Sequence, residues 1–132
     1  MSDSLTPKSG FANLVGYRLT AWREGHAELS LTVEARHLNR SGVMHGGVLA
    51  TLIDAAGGYA GCYAEPPDPP RRAFTLSLNS AFIGPGEAGA LLTARATRTG
   101  GGKSIFFATA EVTDQEGRLI GRGDAVYKLL RR

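Results

Sequence analysis

The 132-residue chain has a single cysteine, Cys62. No disulfide can form within it, and so few thiols suit the reducing cytoplasm, the expected location. Long apolar runs are also missing: none approaches the ~20 residues that a bilayer span needs, so no membrane partner is expected. The start, MSDSLTPKSG, lacks the basic stretch and apolar core of a secretory signal. Residues 1–10 are therefore expected to form a flexible polar tail, with 11–132 as one domain. Excess charge is small, 15 Lys and Arg against 12 Asp and Glu, a net +3. That is too little to argue for nucleic acid, and it equally suits a partner carrying a few phosphates. His26, His37, His45 and Cys62 have no metal-site spacing, so neither a metal nor a cofactor is expected.

Glycine, in contrast, is abundant: 18 residues, roughly twice ordinary usage. The excess sits in turns and in one stretch, Asn39 to Tyr63, NRSGVMHGGVLATLIDAAGGYAGCY. A polar loop there leads into the one long helical pattern of the chain. Projected at ~100° per residue, positions 47–63 divide into two faces. Val48, Leu49, Leu52, Ile53, Ala55, Ala56, Tyr59, Ala60 and Tyr63 share one arc of roughly 160° and read as core. Gly47, Ala50, Thr51, Gly57, Gly58, Gly61 and Cys62 lie opposite, with Asp54 near their centre. Each interior glycine costs about 1 kcal/mol against alanine. Three of them (57, 58, 61) therefore predict a close approach to that face by another helix or a ligand. Solvated helix faces carry Lys, Glu and Gln; Asp54 is the only charged residue between Gly47 and Ala64.

Around this helix the texture is β. Phe11 to Val15 reads as a short apolar turn. Tyr17 to Arg23 and His26 to Ala35 alternate and form a hairpin about Glu24-Gly25. The four prolines of Glu65 to Arg72 must end the helix. Four long strands follow, 73–83, 88–99, 103–113 and 118–130, and their short turns predict an antiparallel meander. The expected class is α+β: a long central helix wrapped by a curved antiparallel sheet of five to six strands.

Two familiar motifs are excluded by context. Gly100-Gly101-Gly102-Lys103-Ser104 has Thr97 where a phosphate loop needs glycine, and SIFFATAEV after it is a strand, not a helix. Cys62 has no histidine near it in sequence and reads as an inert buried thiol. Gly46 and Gly47, however, would present unpaired N–H groups at a helix N-terminus, able to hold an oxyanion. Asp54 would supply a base or nucleophile. Together they point to acyl transfer to water. Seven helical residues separate Asp54 from Gly47 by about 10 Å, whereas reacting groups converge to ~3 Å. Two antiparallel chains would bring them together, which predicts a two-fold dimer with two shared sites.

Asn39, Gly42, His45, Gly46, Gly47, Leu52 and Asp54 resemble the N-x-x-G-x-x-H-G-G-x-x-x-x-L-x-D signature of hotdog-fold acyl-CoA thioesterases. The branch resembled is that of the phenylacetate-pathway and thioesterase-superfamily-member-2-type enzymes, and the resemblance covers about residues 11–130. It implies a hotdog fold and hydrolysis of an acyl- or aroyl-CoA, with Asp54 as nucleophile or general base. It further implies that the Gly46 N–H polarises the thioester carbonyl, that Asn39 orients substrate or water, and that His45 supports the loop. Thr75 falls where relatives carry a hydroxyl beside the carboxylate, with Ser77 as the fallback. The site is implied to lie between subunits of a homodimer, commonly a dimer of dimers. Coenzyme A brings phosphates, for which Arg71, Arg72, Arg98, Lys103 and Arg122 are candidates beside Gly47 at the binding site. The competing reading is a non-catalytic hotdog protein that binds acyl-CoA as a sensor.

Overall fold

Residues 46–60 form the central helix, α2 (Gly46–Ala60) in a computed structural model that describes residues 9–131. It begins one residue before the expected position, because the His45 ring caps it: Nδ1 accepts from Gly47 N–H at 2.8 Å. It also ends three residues early. Cys62 N–H closes a tighter turn on Tyr59 O (3.0 Å), and Trp22 Nε1–H donates to the same oxygen (2.8 Å), so Tyr63 lies outside the helix.

Ahead of it come α1 (Gly10–Val15), β1 (Arg18–Arg23), β2 (His26–Thr32) and a short 3-10 turn, Ala35–His37. Residues 1–8 of the expected tail lie outside the described residues. Ser9 and Gly10 do not belong to a tail: the Ser9 hydroxyl accepts from Ala12 N–H at 3.3 Å and caps α1. After α2 follow β3 (Ala73–Phe82), β4 (Leu91–Gly101), β5 (Ile105–Thr113) and β6 (Leu119–Leu129).

All six strands form one antiparallel sheet in the order β1-β2-β4-β5-β6-β3, wrapped on α2 in the hotdog arrangement. The expected four-strand meander is corrected to three strands, β4 to β6. β3 pairs with β6 at the far edge, and β4 inserts between β2 and β5. The link from Ile83 to Ala90 is a crossover, not a hairpin turn. It leaves β3 bonded to Ile120 O and passes the start of α2, where Met44 N–H donates to Gly86 O (2.7 Å). It then arrives beside β2, with Gly89 N–H on Val33 O (2.8 Å).

Strand alternation packs Leu29 and Leu31 (β2), Leu92, Ala94 and Ala96 (β4), Ala110 and Val112 (β5) against Leu49, Leu52, Ile53 and Ala56 of α2. A second cluster, Cys62, Phe106, Ala108, Ala125 and Tyr127, closes the C-terminal end of the helix. The buried arc of α2 is thus turned toward Gly57, which is buried, whereas Val48, Ala55 and Tyr59 are only partly so.

What approaches the helical glycines is this chain's own sheet. A Cβ at Gly57 would overlap the Tyr127 hydroxyl, and one at Gly61 the Phe106 ring. Those two rings stack with centroids 4.8 Å apart, so neither can step aside. At Gly57 and Gly61 the close approach, expected from another helix or a ligand, is made by these two rings. Gly57→Ala gains about 1 kcal/mol of helix propensity, but overpacking a filled site costs roughly 1–3 kcal/mol. The expected result is net destabilisation, read as a lower urea midpoint at unchanged slope; a raised midpoint would show that the Tyr127 contact is loose.

Candidate active site

Asp54 lies on the side of α2 that looks toward the start of β3. Thr75 pairs with Tyr127 across the β3–β6 ladder, which sets both residues on the helix-facing side of the sheet. The Thr75 hydroxyl donates to Asp54 Oδ1 at 2.6 Å, and the Tyr127 hydroxyl donates to the Asp54 backbone oxygen at 2.7 Å. One hydroxyl therefore orients the carboxylate while the other holds its peptide. Asp54 Oδ2 has no hydrogen-bond partner among the described residues. The register shifts between Thr75 and Ser77, and Ser77 then sits opposite Val126 with no bond to Asp54. Of the two candidate hydroxyls, Thr75 is the one beside the carboxylate.

Burial first, and the Asp54 charge second, push the phenols of both Tyr17 and Tyr127 above the usual tyrosine range. Both stay neutral hydroxyls at physiological pH. Sequence patterning does not single out either residue. The signal available for Tyr127 is an inward strand position shared with Ala125, where a phenol must find a partner.

The start of α2 is a separate cluster. Gly47 N–H is bonded to His45 Nδ1, so of the two N–H groups expected to be unpaired only that of Gly46 lacks a partner among the described residues. Phe82 packs over Gly46; a Cβ there would stand 3.1 Å from the ring. Asn39 organises the preceding loop: its Oδ1 accepts from Ser41 N–H (2.9 Å) and Val43 N–H (3.3 Å). His37 is buried and anchors the loop from behind. Its Nδ1 accepts from Glu34 N–H and its Nε2–H donates to Val15 O (2.7 Å), while its carbonyl accepts from His45 N–H (2.7 Å). Eight residues of helix put Gly46 about 12 Å from Asp54 along the axis. Within one chain the two clusters do not converge.

Asp54 and Thr75 open into a cavity of about 750 Å³ whose wall is strongly aromatic: Phe11, Tyr17, Trp22, Tyr59 and Tyr127. Trp22 meets Tyr59 and Tyr63 edge to face, at 5.3 and 5.8 Å. Pro70, Arg71 and Arg72, from the end of the proline-rich loop, complete it. Cys62 also lines the cavity. Burial pushes its thiol up to about 11 despite the lowering pull of Arg71, so at neutral pH it holds its proton and is no nucleophile.

The basic candidates separate. Arg71 and Arg72 lie at the cavity. Arg98 is spent on the β4–β5 turn, bonding Gly100 O and Gly102 O (each 3.3 Å) and covering Phe106. Lys103 is exposed in that same turn. Arg122 alternates with the inward Ala125 and Tyr127 and so projects from the opposite face, in a groove with Arg95, Glu111 and Asp124. Charge alone nominates it, and strand parity removes it from the Asp54 cavity of its own chain. No His, Cys, Asp and Glu cluster fit for a metal ion occurs among the described residues, and no described helix is long and apolar enough to cross a membrane.

A sheet wrapped on one helix, with an acid facing a cavity from mid-helix, defines a hotdog-type protein. The family model described as Thioesterase superfamily matches residues 41–120; the chain belongs to that superfamily, and it is a thioester hydrolase. It is similar to the acyl-coenzyme A thioesterase PaaI of Escherichia coli, 32% identical over 109 residues, covering 83% of this chain and 74% of that protein. It is also similar to human acyl-coenzyme A thioesterase 13, 26% identical over 122 residues, covering 91% of this chain and 85% of that protein. The solved structure of the Escherichia coli PaaI protein from the phenylacetic acid degradation operon shares the fold. Its TM-score is 0.84 at 24% identity, over 97% of this chain and 89% of that one.

Proposed function

We propose that the protein hydrolyses acyl-CoA thioesters, acyl or aroyl, to the free acid and coenzyme A. The observation that carries this reading is Asp54: a carboxylate held by Thr75 at 2.6 Å, its second oxygen without a partner among the described residues, at the wall of an apolar cavity. A thioester carbonyl beside Oδ2 would be attacked by Asp54 itself or by a water that it deprotonates. The Gly46 N–H, at the positive end of α2, would take the developing oxyanion.

The two clusters meet if the protein is a homodimer, and the sheet edge supports one. Among the described residues β3 pairs only with β6, and along its open edge Phe74, Leu76, Leu78 and Phe82 are 51, 51, 38 and 63% exposed. An unpaired edge with that much apolar surface is a template for a second strand. Antiparallel pairing of two β3 strands about their midpoint would set Ala73 opposite the partner's Phe82 and Thr75 opposite the partner's Ser80. The Asp54–Thr75 end of one chain would then lie beside the Phe82–Gly46 end of the other. The seam of this reading is β3 rather than the glycine face of α2. A further pairing into a dimer of dimers, and a cytoplasmic location for a chain with one reduced thiol, complete the proposal.

Release of free thiol from short, long and aromatic CoA thioesters tests the reading. Turnover of at least one class is expected. Tight binding of every class with no thiol released would instead favour a sensor.

A further inference from the structure

The wall of the Asp54 cavity carries a hydroxyl that no described residue engages. Tyr17 is 8% exposed and lines that cavity. Its backbone is pinned from both sides. Gly16 N–H closes α1 on Ala12 O at 2.7 Å, His37 donates to Val15 O at 2.7 Å, and β1 begins at Arg18. The Tyr17 phenol, in contrast, has no hydrogen-bond partner among the described residues. Two buried side-chain atoms among those residues are shut off from water without a partner, Arg71 Nε and Ser80 Oγ. The Tyr17 hydroxyl is not one of them, so it is open to what enters the cavity. A buried hydroxyl costs free energy until it finds such a partner.

Asp54 brings the complementary group to the same cavity. Thr75 occupies Oδ1, and Oδ2 has no partner among the described residues. The Asp54 charge adds to burial in raising the Tyr17 phenol, which therefore keeps its proton and remains a donor at neutral pH. Tyr127 feels the same charge, but its hydroxyl is committed to the Asp54 peptide oxygen. The Tyr59 phenol is raised by burial, Tyr17 and Cys62 instead. Tyr17 is thus the phenol that senses the carboxylate and still has a hydrogen bond to give. No hydrogen bond joins the two directly. A molecule that links them must accept from the phenol and donate to the carboxylate. Water does both, whereas a thioester carbonyl can only accept.

Resting on the hydrolase reading above, we infer that the Tyr17 hydroxyl holds the hydrolytic water against Asp54, so that the carboxylate acts as general base. The phenol O–H donates to one lone pair of the water oxygen and leaves the other for the thioester carbon. Asp54 Oδ2 takes a water proton as the new C–O bond forms and the carbonyl pair moves onto oxygen. Collapse of the adduct breaks the C–S bond, and the departing thiolate takes the proton from Asp54. The free acid and coenzyme A leave, and the carboxylate is restored.

A double-mutant cycle of Tyr17→Phe and Asp54→Asn tests this on each CoA thioester that the wild type cleaves, with single-turnover rates for the slow background. Tyr17→Phe alone is expected to lower kcat about tenfold, the worth of one hydrogen bond, with KM little changed. The factor should be similar for every acyl group, and the melting temperature should not fall. In the Asp54→Asn background the same change should cost about twofold or less, because the two residues act through one water. An undiminished loss there overturns the inference, since the phenol would then serve the oxyanion. A loss confined to one acyl group overturns it too, since Tyr17 would then read the acyl chain. So does a lower melting temperature, which would make the hydroxyl structural. Label from ¹⁸O-water found in Asp54 after a single turnover also overturns it, by marking the carboxylate as nucleophile. A Tyr17→Phe variant as fast as the wild type removes the inference and leaves the hydrolase. A wild type that releases no thiol from any thioester removes the hydrolase reading itself, and the water with it.

Discussion

Asp54→Asn is expected to lower kcat on any cleaved thioester by a general base's ~10²–10⁴-fold or more, with the fold intact. The substitution is isosteric. Its amide oxygen still accepts the Thr75 hydroxyl, and the Tyr127 bond to the Asp54 peptide oxygen does not involve the side chain. What is lost is the anionic Oδ2, which among the described residues has no other task. A structural role for the carboxylate would instead lower the thermal midpoint and leave turnover near wild type. Steady-state kinetics and a melting curve on one preparation therefore separate the two, and near-wild-type hydrolysis would remove Asp54 from the mechanism. Thr75→Ala should cost less, since it frees the carboxylate without removing it.

The second large effect concerns the edge. Leu78 stands mid-way along β3, 38% exposed and opposite Ala125. Leu78→Lys puts a charge on the open edge, a device by which natural sheets prevent edge pairing. Leu78 shares the helix-facing side with the buried Ala125, so a melting curve on the same variant checks that the chain still folds. The dimer should dissociate, and specific activity should fall with it by at least about tenfold, as each Asp54 loses the oxyanion donor it cannot reach in its own chain. Sedimentation and activity measured over the same concentration range check this. An active monomer would refute a shared site, and an unaffected dimer would place the seam elsewhere.

The outcome at particular residues shows what a sequence can carry. The central helix, its acid and the strands around it are readable because apolar periodicity and proline or glycine punctuation are local signals. Strand order is not local. Gly84-Pro85-Gly86 looks the same whether it closes a hairpin or begins a crossover, so the place of β3 beside β6 emerges only from pairing. The glycines at 57 and 61 correctly announce a close approach, but not by what. Tyr127 lies 73 positions from the peptide oxygen that it binds, and Phe106 lies 45 positions from Gly61. The Thr75 contact needs the register of an edge strand that contains a bulge. Arg122 is the opposite case: charge is visible in a sequence, whereas the face that it occupies depends on parity counted from a buried neighbour.

A site shared between chains is the central claim, and mixing two inactive variants tests it most directly. Asp54→Asn lacks the carboxylate. Gly46→Pro lacks the helix N-terminal N–H at a first-turn position whose φ suits proline; its Cβ would stand 3.1 Å from the Phe82 ring, so a melting curve on this variant accompanies the activity. Each alone is expected to be nearly inactive. Unfolded together in equal amounts and refolded, they should recover about a quarter of wild-type activity, because half of the dimers are hybrids and each hybrid has one intact site of its two. If Asp54 and Gly46 act within a single chain, no hybrid contains an intact pair, and the mixture will stay as inactive as its parents.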